Sequence, residues 1–223
     1  MAAQQGHLDL VKCLSKSKAT LSCKNKLGTN AINLAVLKGH TRVVKFLVKA
    51  KVDTNASDSL DGASPVYKAV LLRNGILRFP LEGTANPDVA SRNGKTPACV
   101  CILRGDTCTL WLLITAKAKV DKPDMESKEL VAIAVNHSRC KALLLLLKSF
   151  ADAHVKGSSG TSPLWHALLA NDRVALRCLI RANAIPDSSH GIPAIKHAAT
   201  TSKLELISEL PYYHCDLAGF SGD

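Results

Sequence analysis

Gly94-Lys95-Thr96-Pro97-Ala98-Cys99-Val100-Cys101 is one of six versions of a single phrase, and its recurrence decides the fold. The residue equivalent to Thr96 falls at Asn30, Ser64, Thr96, Glu129, Ser162 and Pro193, with gaps of 34, 32, 33, 33 and 31 residues. A period near 33 predicts a solenoid of stacked helix pairs, because one such pair cannot bury its apolar face alone and neighbours must cover it. In Gly62-Ala63-Ser64-Pro65-Val66, Gly94-Lys95-Thr96-Pro97-Ala98 and Gly160-Thr161-Ser162-Pro163-Leu164 a hydroxyl stands at the cap position. Proline follows at the first helical position, where a missing N–H removes no helical hydrogen bond.

The second unit shows the grammar of the rest. Asn30 caps a first helix whose apolar stripe is Ile32, Ala35 and Val36, and Gly39-His40 ends it. A second helix follows, with Val43, Val44, Phe46, Leu47 and Val48 on its buried side. Ala35, Ala69, Cys101, Ala134, Ala167 and Ala198 share one phase, where a small side chain lets neighbouring helices approach closely.

Composition agrees with packed helices. Of 223 residues 47% are hydrophobic, yet aromatic residues are few, so the core is built from Leu, Val, Ile and Ala. The longest apolar run, Ala142 to Leu147, is far short of the roughly 20 residues that cross a bilayer. No basic stretch followed by an apolar one opens the chain, which predicts a soluble, intracellular protein, cytoplasmic or nuclear. Eight cysteines stand at positions 13, 23, 99, 101, 108, 140, 178 and 215, several in helical phrases such as Lys12-Cys13-Leu14 and Arg177-Cys178-Leu179. They read as buried, reduced thiols. Cys99, Cys101 and Cys108 lack a fourth ligand at any zinc spacing, so neither a metal nor a cofactor is expected.

The chain resembles the ankyrin repeat family, whose signature runs Thr-Pro-Leu-His with Ala-Ala and Gly-His after it. The resemblance rests on the six phrases in register, on Ala2-Ala3-Gln4-Gln5-Gly6-His7-Leu8-Asp9-Leu10-Val11-Lys12, on Lys38-Gly39-His40 and on Ala85-Asn86-Pro87-Asp88-Val89-Ala90-Ser91. It covers about residues 2–210 and implies an all-α array over 1–223. About seven helix-turn-helix units, the first and last incomplete as in an excerpt of a longer protein, are joined by β-hairpin-like fingers. The departures are specific. The motif's His is replaced by Asn33, Tyr67, Cys99, Ala132, Trp165 and Lys196, and the Gly after each second helix by Lys18, Lys51, Thr84, Lys117, Phe150 and Asn183. Pro80 is expected to interrupt a second helix over Leu77 to Leu81. Glu129-Leu130 with Ser127 is expected to soften the fifth unit.

In such an array the finger tips and the inner face of the first helices line a concave groove. Mapped by phase, that groove receives Lys26, Leu27, Thr29, Leu37 and Lys38, then Leu60, Asp61, Ala63, Leu71 and Leu72, then Arg92, Asn93, Lys95, Leu103 and Arg104. Beyond these come Met125, Glu126, Lys128, Asn136 and His137, followed by small uncharged groups such as Thr161. Leu37, Leu71, Leu72 and Leu103 form a ridge flanked by cations, which suits a protein or peptide partner with apolar anchors and acidic flanks.

The formal net charge of +11 raises a second class of partner, a polyanion such as nucleic acid or phosphoinositide. Lys12, Lys45, Lys49, Lys141 and Lys148 belong to second helices, away from the groove, and no aromatic residue falls at a groove position to stack bases. A purely structural spacer is the third reading. No phosphate-binding loop, zinc-protease helix or nucleophile elbow occurs, so neither an enzyme nor a small-molecule substrate is expected. His7 and His40, at the turn between helices, read as structural. Leu47 followed by Asp53-Thr54-Asn55 is similar to the family segment in which an Asn is hydroxylated by an oxygen-sensing dioxygenase, which makes Asn55 a candidate modification site.

Overall fold

The helices begin where the caps predict. The computed structural model describes residues 1–26, 28–58, 61–73, 75–121, 130–154 and 160–184, and the chain divides into two compact units, Met1–Lys119 and Val120–Asp223. The first unit holds α1 (Ala2–Gln5) with α2 (Leu8–Lys16), α3 (Ala31–Leu37) with α4 (Thr41–Lys49), α5 (Pro65–Leu72) with α6 (Arg78–Glu82), and α7 (Pro97–Arg104) with α8 (Thr107–Thr115). The second holds α9 (Leu130–Asn136) with α10 (Cys140–Lys148) and α11 (Pro163–Leu169) with α12 (Arg173–Arg181). First helices stack on first helices, α1 on α3 on α5 on α7, while α2 packs on α4 and α4 on α6. In the second unit α9 packs on α11 and α10 on α12. This is the stacked, all-α architecture expected from the period.

Capping supplies the starts. The Asn30 side chain accepts a hydrogen bond from Asn33 N at 3.0 Å, and the hydroxyls of Ser64, Thr96 and Ser162 accept from Tyr67, Cys99 and Trp165 N at 3.2 Å each. Each such cap contributes about 1 kcal/mol. The expected caps at Glu129 and Pro193 lie outside the described residues. Between the layers Ile32, Leu47, Ile76, Ile102, Leu110 and Leu113 of the first unit are fully buried. Leu130, Leu143, Leu146, Leu164, Leu168 and Leu176 fill the same role in the second. Ala35, Ala69, Cys101, Ala134 and Ala167 are buried where small side chains were expected.

Every helix pair turns through two left-handed residues. After the first helices these are Gly6, Gly39, Arg73, Gly105, Ser138 and Asn171; after the second helices they are Lys18, Lys51, Thr84, Lys117, Phe150 and Asn183. The second set holds φ between 55° and 65°, so the backbone keeps the geometry that glycine serves elsewhere although a side chain is present. Each costs about 1 kcal/mol, less for asparagine.

Two expectations need correction. Pro80 does not interrupt a helix. It lies buried within the first turn of α6, where its missing N–H has no helical acceptor to lose. α6 is short, with five residues where α2, α4 and α8 have nine, and Ile76 and Leu77 just before it are buried. Nor are all the thiols buried. Cys99, Cys101 and Cys178 are, but Cys13, Cys23 and Cys108 are exposed. In α2 the buried residue is Val11, and a residue two positions on points to another side of the helix.

The fingers are tight turns. Asn25 N donates to Thr29 O at 3.0 Å and Ser91 N to Lys95 O at 3.1 Å, while Lys24 and Asn30 form an isolated antiparallel bridge. Neighbouring fingers touch through their backbones, with Arg92 N donating to Asp61 O at 2.8 Å. A Cβ on Gly62 would lie 3.1 Å from Arg92 N, so that position needs glycine for clearance as well as for its φ of +67°. Side-chain oxygens add a second tie at constant spacing. Asn55 Oδ1 accepts from Asn86 N at 2.6 Å, Asp88 Oδ1 from Lys119 N at 3.0 Å and, in the second unit, Asp121 Oδ1 from Asp152 N at 2.9 Å.

Candidate binding groove

The last turns of the first helices set the ridge. Seven residues beyond each cap stand Leu37, Leu71 and Leu103, and eight beyond stand Lys38, Leu72 and Arg104. Leu37 and Leu72 are 43% and 42% exposed, while Leu71 and Leu103 are half-buried against the packed helices. Lys26, Lys38, Arg92, Asn93 and Arg104 are exposed and Lys95 is half-buried. Thr29, Ala63 and Thr161, expected in the groove, are buried instead. Thr29 and Ala63 give their backbone N–H groups to Asn25 and Asp61 inside their own turns. Asn136 and His137 are exposed, while Leu27, Leu60, Met125, Glu126 and Lys128 lie outside the described residues.

Arg104 does more than carry charge. Its Nη1 donates to the Leu71 carbonyl at 2.6 Å, tying α7 to the last turn of α5. Beside it Arg73 Nε lies 3.2 Å from the Asp106 carboxylate, which also caps α8 by accepting from Thr109 N at 3.1 Å and Thr109 Oγ1 at 2.8 Å. Burial alone would raise the Asp106 carboxyl; the Thr109 hydrogen bonds and the Arg73 charge outweigh it and hold it below the usual range.

Beneath the third finger lies a pair that the sequence reading missed. Lys68, on α5, and Asp58, on the incoming finger, are both buried and form an ion pair. Burial would raise the Asp58 carboxyl, but hydrogen bonds from Asp61 and Lys68 bring it down to about 2. Asp61 shifts the other way, raised by burial and by its hydrogen-bonded neighbour Asp58. The available signal was phase: Lys68 is the charged member of a column that otherwise reads Leu34, Val100, Ile133, His166 and His197. In the second unit Leu169, 44% exposed, holds the same position relative to its cap and was also missed.

Other substitutions keep structural work going. Asn33, where the motif has His, is fully buried and its Nδ2 donates to Ala56 O of the next finger at 2.6 Å. His40 is structural as expected, with Nε2 3.0 Å from Gln4 O. Asn55 is exposed, its N–H bonded to Asp53 Oδ1 at 2.8 Å and its side chain to Asn86 N. Among the described residues, no three His, Cys, Asp or Glu side chains gather as a metal site, and no helix is long and apolar enough to cross a membrane.

This repeated cap, turn and finger geometry has counterparts. The family model described as Ankyrin repeats (3 copies) matches residues 1–82. A crystallised ankyrin repeat domain from Acinetobacter baumannii superposes with a TM-score of 0.76 at 25% identity, over 83% of this chain and 97% of that one. The chain has the ankyrin repeat fold, and its first 82 residues match ankyrin repeats. The ankyrin repeat domain of Bcl-3, a member of the IkappaB protein family, shares the fold with a TM-score of 0.80 at 24% identity, over 93% of this chain and 96% of that one. An L-asparaginase of Dirofilaria immitis is 29% identical over 171 residues, which is 76% of this chain and 29% of the relative. The chain thus spans less than a third of that relative's length. Ankyrin repeats generally mediate protein–protein interaction, and the ankyrin fold is generally non-catalytic.

Proposed function

We infer that the chain is a non-catalytic interaction module, needing no cofactor, whose groove takes an extended protein segment with leucine-type anchors and acidic flanks. The carrying observation is the exposure of Leu37 and Leu72 within a frame of exposed Lys38, Arg92 and Arg104. Apolar contacts supply affinity, and the charges supply steering and register. Lys26, Asn93 and Lys95 extend the surface along the fingers, and Leu71 and Leu103 form its floor. Exposed free thiols at Cys13, Cys23 and Cys108 suit a reducing setting, the cytoplasm or nucleus.

The test is titration calorimetry with a synthetic peptide carrying two leucines between glutamate runs. Lys38→Glu with Arg92→Glu is the informative variant, because Arg104 also holds the Leu71 carbonyl. Affinity should fall by about 10-fold or more and its salt dependence should flatten. Equal binding by both chains overturns the groove reading, and no binding by either favours a spacer. The likeness around Asn55 further supports hydroxylation there. Mass spectrometry of the protein from cells should find its peptide one oxygen heavier, and consistent absence of that species removes the idea.

A further inference from the structure

The second-helix face of the first unit carries cations in rank. Lys12 in α2, Lys45 in α4 and Arg78 in α6 stand 33 residues apart and so occupy one position of the repeat. Because α2 packs on α4 and α4 on α6, these charges run across neighbouring helices. Lys45 and Arg78 each sit 4.6 Å from the centre of the buried Phe79 ring, so their charges lie within twice that distance of each other. One turn further along, Lys16 and Lys49 repeat the pattern, and Lys18 and Lys51 follow at the helix ends. All seven are exposed.

Little on this face neutralises them. The three helices offer two carboxylates, Asp9, which lies 3.5 Å from Lys12, and Glu82, while α4 has none. Lys18 and Lys51 are held at φ 55°, a backbone state that glycine adopts with less strain. In α8 the position of Lys12, Lys45 and Arg78 is taken by Trp111, 54% exposed, on a helix with no charged residue. Basic side chains and an exposed indole at one and the same position of successive repeats match the edge of an anionic bilayer. Ammonium and guanidinium groups meet the headgroups, and tryptophan settles at the boundary between water and hydrocarbon. A nucleic acid would satisfy the charges but leave α8 and its indole without a role.

We propose that the α2–α4–α6 face of the first unit docks peripherally on a membrane surface bearing anionic phospholipids, with Trp111 entering the interface. The face is separate from the groove, so the two readings stand or fall independently.

Co-sedimentation of the full chain with phosphatidylcholine vesicles, with and without one third phosphatidylserine, tests it. At about 0.1 M salt the chain should bind only the anionic vesicles and release near 0.5 M. Each cation removed should weaken partition about fivefold, so Lys45→Gln with Lys49→Gln and Arg78→Gln should lose about a hundredfold. An unchanged thermal melt by circular dichroism certifies that variant; Lys16→Gln with Lys18→Gln gives an independent reading if it fails to fold. Wild-type emission should shift to the blue on binding, and Trp111→Phe, which leaves only the buried Trp165, should abolish the shift. Arg92→Glu in the groove should change none of this. Equal binding to neutral vesicles, no binding to anionic ones, or full binding by the neutralised variants overturns the proposal. So does retention of a DNA duplex, lost in the same variants, without any vesicle binding.

Discussion

The left-handed residues after the helices separate backbone geometry from residue preference. At Phe150 the backbone sits at φ 64° while the ring is 92% exposed, so the side chain contributes little burial to offset the strain. Phe150→Gly should raise stability by about 1 kcal/mol, a rise of about 2–4 °C in a thermal melt. A lower melting temperature would show that the exposed ring is held by something else. Asp58 gives the opposite case. Asp58→Ala leaves the Lys68 charge buried without its partner and should cost about 3–5 kcal/mol, measured by urea denaturation. Replacing both residues by apolar ones should recover most of that loss. Because the folded carboxyl titrates at about 2, against an unfolded value near 3.9, the contribution is present above about pH 4 and disappears as pH falls toward 2. The second-helix caps were legible because their phase was constant. Arg73, Ser138 and Asn171 were not, because the repeat phrase advertises Gly-His at that joint and these residues break the phrase while keeping its geometry.

Among elements, the caps and the apolar stripes could be read directly, since each depends on residues three or four apart in the chain. The extent of α6 could not. A proline is tolerated in a first turn and disruptive later, and only the packing of Ile76 and Leu77 decides where that turn begins. Pro80→Ala should therefore change little within the existing helix. The amide-exchange protection of residues 78–82 should stay within about threefold of the parent. Marked extension of protected amides back through Ile76 would mean that the proline, and not core packing, sets the start. For the same reason the exposure of the candidate groove positions could be read only in part. Positions seven and eight beyond the cap fix which side chains face one way, but the bond from Arg104 to Leu71 O and the pairing of Lys68 with Asp58 join distant segments, and no local spacing encodes them.

At the scale of the molecule, the thiols provide built-in reporters. Burial pushes the Cys101 thiol up to about 12 and raises that of Cys178, whereas Cys13, Cys23 and Cys108 are exposed. Under native conditions at pH 8 a disulfide reagent should label those three rapidly and spare Cys99, Cys101 and Cys178. With rising urea, protection of Cys101 in the first unit and Cys178 in the second should be lost at different midpoints, as in a chain of locally coupled repeats. Coincident midpoints would mean that both units open in one step. The ties from Asn55 to Asn86 and from Asp88 to Lys119 each span 31 residues and use the same donor and acceptor atoms. A carboxylate does in one what an amide does in the other, so the joint is indifferent to which repeat supplies it. Gain or loss of a whole repeat therefore leaves a matching acceptor facing a matching N–H, while a deletion of half that length leaves both orphaned. Such a chain can change its length over generations in integral steps, and its seams do not have to be reinvented each time.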